Sequence, residues 1–265
     1  MSPLPSAFPS THPPAVSILP DRPSMGQAAA DHVHALLRGI LAAQKRARVV
    51  FACAPSQNEF LEALLSPERP ALDWSRIQAF HMDEYAGLSA EHPASFRHYL
   101  HAHLLSRVQP EAFAPLRGEA GDGAAECLRY TKLLREAPID LVCLGIGENG
   151  HLAFNDPPIA DFEDPADVKL VELDLACRQQ QVHDGCFLSL AEVPTQALTL
   201  TLPVFLRAAH LSVVVPGPRK APAVQAALQG PITPQCPASA LRLRPRVHVF
   251  LDAPAAGLLS PTVPA

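Results

Sequence analysis

Short apolar runs alternate along this chain with longer segments in which apolar residues recur every three or four positions. The runs Arg48–Ala54, Ile77–His81, Ile139–Leu144, Val168–Leu173, Ala197–Leu202, Leu211–Val215 and Val247–Leu251 read as strands. Several are apolar at successive positions, the pattern of a strand covered on both faces. Between them, Ala28, Val33, Leu36-Leu37 and Ile40-Leu41 mark an amphipathic helix over Gly26–Arg46, with basic residues at its negative end. Further helices are predicted over Glu59–Leu65, from near Pro93 through Phe96 to Leu105, over Glu119–Glu136 and over Ala176–His183. A helical turn at Pro203–Ala208 and a helix from Gly217 to Leu228 complete the set. Strands alternating with helices predict an α/β fold: a three-layer, mainly parallel, Rossmann-like sheet with helices on both faces. Residues 1–24 hold seven prolines and are expected as an extended or disordered tail, leaving residues 25–265 as one domain.

Composition narrows the function without naming it. Hydrophobic residues make up 48% of the 265 and aromatics only 6%, which suits Val/Leu/Ala-rich layers of helix on sheet. A net charge of -5 offers no general attraction to nucleic acid or to anionic membrane. Any phosphate bound here is therefore held locally, by a few chosen donors. No apolar run approaches the length of a membrane span, and no charged-then-apolar leader opens the chain. The six cysteines are scattered without metal-ligand spacing and are expected as reduced thiols, which points to the cytoplasm.

The chemistry concentrates in residues 139–158. A buried strand, Ile139–Leu144, empties into Gly145-Ile-Gly147-Glu-Asn149-Gly150-His151, with Asp156 five residues later. The glycines allow a sharp turn and close approach to a ligand, Gly147 among them. Gly145-x-Gly147-x-x-Gly150 also fits the dinucleotide fingerprint, but that fingerprint needs a helix directly after it. Here Pro157, Pro158 and Pro165 follow, so the nucleotide reading is set aside.

Three other places carry candidate chemistry. Asp83 and Glu84 stand at the carboxyl end of a strand, where one acid can enter a crevice while the other pairs locally; the commoner fate of such a pair is a turn or a helix cap. Ser56, Gln57 and Asn58 form a strand-to-helix turn that suits either a phosphate cradle or a plain N-cap at Asn58. From these residues alone the cap is favoured. Lys220 is electrostatically misplaced at a helix start, which marks it as an anion-site candidate; Arg219 reads equally well as a solvated neighbour. His81 and His92 lack partners at ligand spacing and read as structural.

At His81-Met-Asp-Glu-Tyr-x-Gly-Leu88 with Glu91-His-Pro-x-Ser95, and again at Gly145-Ile-Gly-x-x-Gly-His-x-Ala-Phe-Asn155, the chain resembles glucosamine-6-phosphate deaminases. That family shares its fold with 6-phosphogluconolactonases. Gly217-x-x-Lys220-Ala and Ser239-Ala-Leu241 extend the resemblance over roughly residues 26–250. It implies that Asp83 is the base moving a proton between C2 and C1 of the opened sugar. It also implies that His151 assists ring opening, that Asp156 orients it, and that Lys220 binds phosphate. No metal or organic cofactor is required, the partner is a small sugar phosphate, and a homo-oligomer is compatible with it.

The chain departs from the family's pattern at several points. Asn149 replaces an aspartate, Asp156 is one methylene shorter than a glutamate, and Pro55-Ser56-Gln57-Asn58 replaces a Thr-Gly-x-Thr loop. The family's phosphate-binding arginine has no clear counterpart; Arg178 and His183 lie in that neighbourhood. Three readings follow: deamination with isomerisation of an amino-hexose 6-phosphate, hydrolysis of a sugar lactone, or sugar-phosphate sensing without catalysis. Met82–Tyr85 and Ala153–Asn155 favour the first over the second. Asn149 supports the third, against which Asp83 and His151 stand together.

Overall fold

The computed structural model describes residues 11–157 and 159–260. In chain order its elements are β1 (Ala15–Leu19), α1 (Arg22–Ala43), β2 (Ala47–Phe51), α2 (Asn58–Leu64), β3 (Ile77–His81), β4 (Asp83–Tyr85), α3 (Phe96–Leu100), β5 (Ala112–Ala114) and α4 (Gly123–Arg135). They continue with β6 (Leu141–Leu144), β7 (Val168–Glu172), α5 (Leu175–His183), β8 (Gln196–Leu200), α6 (Leu202–Arg207), β9 (His210–Val215), α7 (Ala221–Gln229) and β10 (Val247–Asp252). Seven strands pair in parallel in the order β1-β10-β9-β6-β2-β3-β5. The remaining three, in the order β4-β8-β7, make a small antiparallel sheet.

Why the central strands are apolar at successive positions is plain from the two cores. Val50, Phe80, Val142, Leu144, Val213, Val215, Val249 and Leu251 face one side, against residues of α4, α6 and α7. Val49, Phe51, Ala79, Leu141, Cys143, Val214 and Phe250 face the other, against α1 and α2. Successive side chains of a strand point to opposite faces, so a sheet covered twice needs apolar residues throughout. The expected three-layer, mainly parallel α/β architecture is what the chain adopts.

The N-terminal expectation needs correction. Residues 1–10 lie outside the described residues, but Ala15–Leu19 is a parallel edge strand registered on β10. Helix α1 begins at Arg22 because Asp21 caps it, accepting the Ser24 N–H at 2.8 Å, and because a proline sits in its first turn. Its buried positions Met25, Ala29, Val33, Leu37 and Leu41 follow the helical repeat. It stops at Ala43, before Lys45 and Arg46, so the basic residues expected in its last turn lie beyond it.

Each parallel strand delivers its following loop to the same carboxyl edge. Going from β3 and β5 back to β6, the chain steps across β2, so the loops after β2 and β6 diverge on either side of a crevice. A single residue, Met82, separates β3 from β4. Asp83 therefore sits where the chain leaves the main sheet and enters the small one. Among the described residues no helix is long and apolar enough to cross a membrane.

Candidate active site

A cavity of about 780 Å³ opens at the carboxyl edge, a size that suits a small metabolite. Six strand ends contribute to it: Asp21 and Arg22 after β1, Ser56 after β2, Asp83 after β3, Gly145 and Gly147 after β6, Gly217 and Lys220 after β9, and Asp252 at the end of β10.

Asp83 lines this cavity yet is only 7% exposed. Burial, reinforced by the neighbouring Glu84 charge, pushes its carboxyl well above the ordinary value. A carboxylate raised in this way is a stronger base at neutral pH. Glu84 turns the other way and has no surface in the cavity. Its Oε1 accepts the N–H groups of Tyr85 and Phe96, and its Oε2 accepts Ser95 Oγ, Arg97 N and Arg97 Nε. Glu84, a candidate catalytic acid by its place beside Asp83, instead anchors the start of α3.

His151 lines the cavity in its turn, and its Nδ1 lies 3.0 Å from Asp156 Oδ1. Asn149 Nδ2 donates to the same carboxylate oxygen at 3.0 Å, while Asn149 Oδ1 accepts the His151 N–H at 3.1 Å. Burial alone would raise Asp156, but the His151 contact and the Asn149 hydrogen bond bring it below the ordinary value. An amide at position 149 can donate to Asp156 where a carboxylate would repel it. Asn149 thus ties Asp156 and the His151 backbone together within one loop.

The glycines have separate tasks. A Cβ on Gly147 would collide with Cε1, Nε2 and Cδ2 of the His151 ring, so the imidazole packs directly on bare backbone. Gly150 adopts φ +85°, a conformation that side chains disfavour. No helix follows, as the three prolines indicated; Pro158 itself lies outside the described residues.

At the anion end, Ser56 and Lys220 both line the cavity. Lys220 is 8% exposed, and burial lowers its ammonium below the ordinary lysine value, partly offset by Asp184 and Glu148. The remaining binding candidates do not reach the cavity. Gln57 is buried, its Nε2 donating to Ser56 Oγ at 3.1 Å and to the Val214 carbonyl at 3.4 Å, which ties the turn to β9. Asn58 opens α2 without a side-chain cap and accepts the Tyr99 hydroxyl at 2.8 Å. Arg178 donates to the carbonyls of Leu190 and Val193 and closes a loop away from the cavity. All three have roles set by local packing.

Several cavity residues went unmarked in the sequence: Arg22, Gln180, Gln181, Asp184 and Asp252. Asp252 accepts the Gly217 N–H with both oxygens, at 2.9 and 3.0 Å, and so fixes the turn that carries Lys220. His81 is structural as expected: Leu116 N–H donates to its Nε2 at 2.7 Å, and burial, then the Arg97 charge, drives its pKa down to about 3. The resemblance calls for no metal, yet the fold gathers ligand atoms of His151, Asp156 and Cys177 within 4.8 Å of one another. Cys177, its thiol pushed well up by burial, faces Asp156 and joins that polar cluster from α5.

Fold and site together define an open-sheet α/β protein with an acid–base cavity at the carboxyl edge of its strands. Residues 20–249 match the family described as glucosamine-6-phosphate isomerases/6-phosphogluconolactonase, and the chain belongs to that family. Its relatives include the glucosamine-6-phosphate deaminase of Exiguobacterium sibiricum, 36% identical over 71% of this chain and 73% of that protein. Another is the enzyme of the same name from Streptococcus pneumoniae, 34% identical over 78% of this chain and 86% of that protein. Among solved structures, a monomeric glucosamine-6-phosphate deaminase superposes with a TM-score of 0.85 at 29% identity, covering 92% of this chain and all (100%) of that one. A 6-phosphogluconolactonase from Thermotoga maritima superposes at 0.71 with 17% identity over 90% of this chain and 98% of that chain, a likeness of fold alone.

Proposed function

We propose that this protein converts glucosamine 6-phosphate and water into fructose 6-phosphate and ammonia. The observation that carries the reading is that Asp83, His151 and Lys220, from three different strand ends, line one cavity. The relatives reported above bear the name of this activity. In this reading the phosphate lies toward Ser56 and Lys220, and the sugar lies between Asp83 and His151. His151 Nε2, with Nδ1 held by Asp156, passes the proton from the anomeric hydroxyl to the ring oxygen as the pyranose opens. Asp83 then takes the C2 proton and returns it to C1 while one proton of the C2 ammonium passes to O1, leaving an iminium at C2. Water adds to that carbon, and ammonia leaves.

The reading carries further consequences. The reaction hydrolyses a C–N bond and belongs to amino-sugar breakdown, downstream of a step that frees the C2 amine. Its place is the cytoplasm, where buried free thiols such as Cys53, Cys143 and Cys177 stay reduced.

Incubating the protein with glucosamine 6-phosphate should release ammonia and ketose in equal amounts. Ketose without ammonia from glucose 6-phosphate would make it an isomerase, and turnover of a phosphogluconolactone a lactonase. Asp83→Asn should lower kcat roughly 10²- to 10⁴-fold, the usual worth of a positioned general base, while inorganic phosphate binds as before. Exchange of the C2 proton at the parent rate in that variant would remove Asp83 from the mechanism.

A further inference from the structure

Arg178, the arginine that sequence position suggested for phosphate, is spent on two loop carbonyls. A different arginine stands at the cavity. Arg22 is the first residue of α1 and follows the end of β1, so the parallel edge strand carries it to the same sheet edge as the other cavity residues. It is held there firmly. Its Nε donates to Glu59 Oε1 at 2.7 Å, and its Nη2 to Glu59 Oε2 at 2.9 Å and to the Pro55 carbonyl at 3.0 Å. Those contacts bind it to the turn that presents Ser56. Gly26, one turn along α1, lets the helix lie close enough: a Cβ there would stand 2.6 Å from the Glu59 carbonyl carbon.

The guanidinium is nonetheless not enclosed, for the side chain is 41% exposed. Arg22 and Lys220 line the same cavity, together with the carboxylates of Asp252 and Asp184, whose charges favour the protonated guanidinium. A guanidinium already fixed along one edge gives up little conformational freedom when its remaining N–H groups meet an anion. With Nε and both Nη2 hydrogens taken by Glu59 and Pro55, the two Nη1 hydrogens are the ones left to donate to a phosphate oxygen.

We infer that Arg22 is a phosphate-binding residue of this cavity, closing on a terminal phosphate dianion from the β1–α1 junction while Lys220 closes from the β9–α7 junction. This assignment rests on the sugar-phosphate reading above and deepens it. Arg22 contacts a group remote from the reacting carbons, so it contributes binding shared by ground and transition states.

Inorganic phosphate is the direct probe, titrated calorimetrically into the full chain, with KM and kcat for glucosamine 6-phosphate measured in parallel. Arg22→Ala should raise the phosphate Kd and the KM roughly tenfold or more, with kcat within about twofold. Arg22→Lys should fall between the two. Glu59→Ala controls for architecture, since it removes the same α1–α2 ion pair but keeps a guanidinium at the cavity, held by the Pro55 carbonyl alone. Equal effects of Arg22→Ala and Glu59→Ala would reduce Arg22 to a strap between helices and overturn the assignment. Unchanged phosphate affinity in Arg22→Ala would overturn it too, while turnover by the parent chain left the substrate reading standing. Phosphate binding that depends on Arg22, in a chain that releases no ammonia, would keep the clamp and sink the substrate instead.

Discussion

Gly147 shows how much of the site is decided by one missing side chain. The His151 ring lies where a Cβ at position 147 would be, so Gly147→Ala forces the imidazole to move. Its Nδ1 is simultaneously tethered to Asp156, which is 1% exposed and itself held by Asn149. The ring cannot shift and keep that contact. A displacement of about 1 Å at a catalytic group typically costs on the order of a hundredfold in rate, so Gly147→Ala should lower kcat by that order with KM little changed. A steady-state assay separates the two parameters, and a rise in KM at unchanged kcat would mean that Gly147 serves binding instead. Part of this was open to reading from sequence, because a glycine loop ending in histidine suggests close approach. Which neighbour takes advantage of the bare backbone was not, since a folded ring contact leaves no mark in spacing. Glu84 and Asp83 make the same point: adjacency said that the two acids diverge, and only the Ser95 and Arg97 donors decide which one turns inward.

One buried carboxylate links the ends of two helices to the start of a strand. Asp167, 2% exposed just before β7, receives Arg135 from the end of α4 and Arg207 from the end of α6, each at 2.6 Å. Burial alone would raise its carboxyl, but these two hydrogen-bonded guanidinium groups bring it below the ordinary value. Removing the charge leaves a buried site built for an anion without one. Asp167→Asn should therefore destabilise the fold by about 1 kcal/mol, because both arginines are more than half exposed and water screens the interaction. Because the folded pKa is depressed, the stabilisation is fully present above the unfolded value and disappears as pH falls through the folded one. The difference in melting temperature between parent and variant should be full near neutral pH and shrink below about pH 4. A difference that persisted in acid would show that the arginines matter for packing alone. Long strands and helices in this layer were legible from apolar period, but β4 and β5 have three residues each and carry no readable period. β1 was obscured by the prolines around it, although none falls within Ala15–Leu19. With β1 taken for tail, Arg22 could not be seen as a cavity residue.

At the scale of the whole molecule, burial at one sheet edge pulls two distant groups toward each other's titration range. Asp83, from β3, is raised by burial and by Glu84, and it must be ionised to take a proton from carbon. Activity should fall as pH drops through that raised value, so the acid limb lies above the ordinary carboxylate range of about 4. Lys220, from the turn after β9, is lowered by burial and must be charged to hold phosphate. Affinity should fall as pH rises through that lowered value, earlier than the ordinary lysine value of about 10.4 would allow. The profile of kcat/KM for glucosamine 6-phosphate should accordingly be a bell narrower than free carboxylate and amine would give. Substitutions assign its two sides. Glu84→Gln removes a like charge beside Asp83 and should move the acid limb to lower pH, leaving the alkaline limb in place. Lys220→Arg keeps a positive charge at every accessible pH and should carry the alkaline limb upward, through KM rather than kcat. The titration of phosphate itself is common to every variant, so it cancels from these comparisons. If Lys220→Arg leaves the alkaline limb where it was, the falling side belongs to another group, and Lys220 is not the cation that meets the substrate.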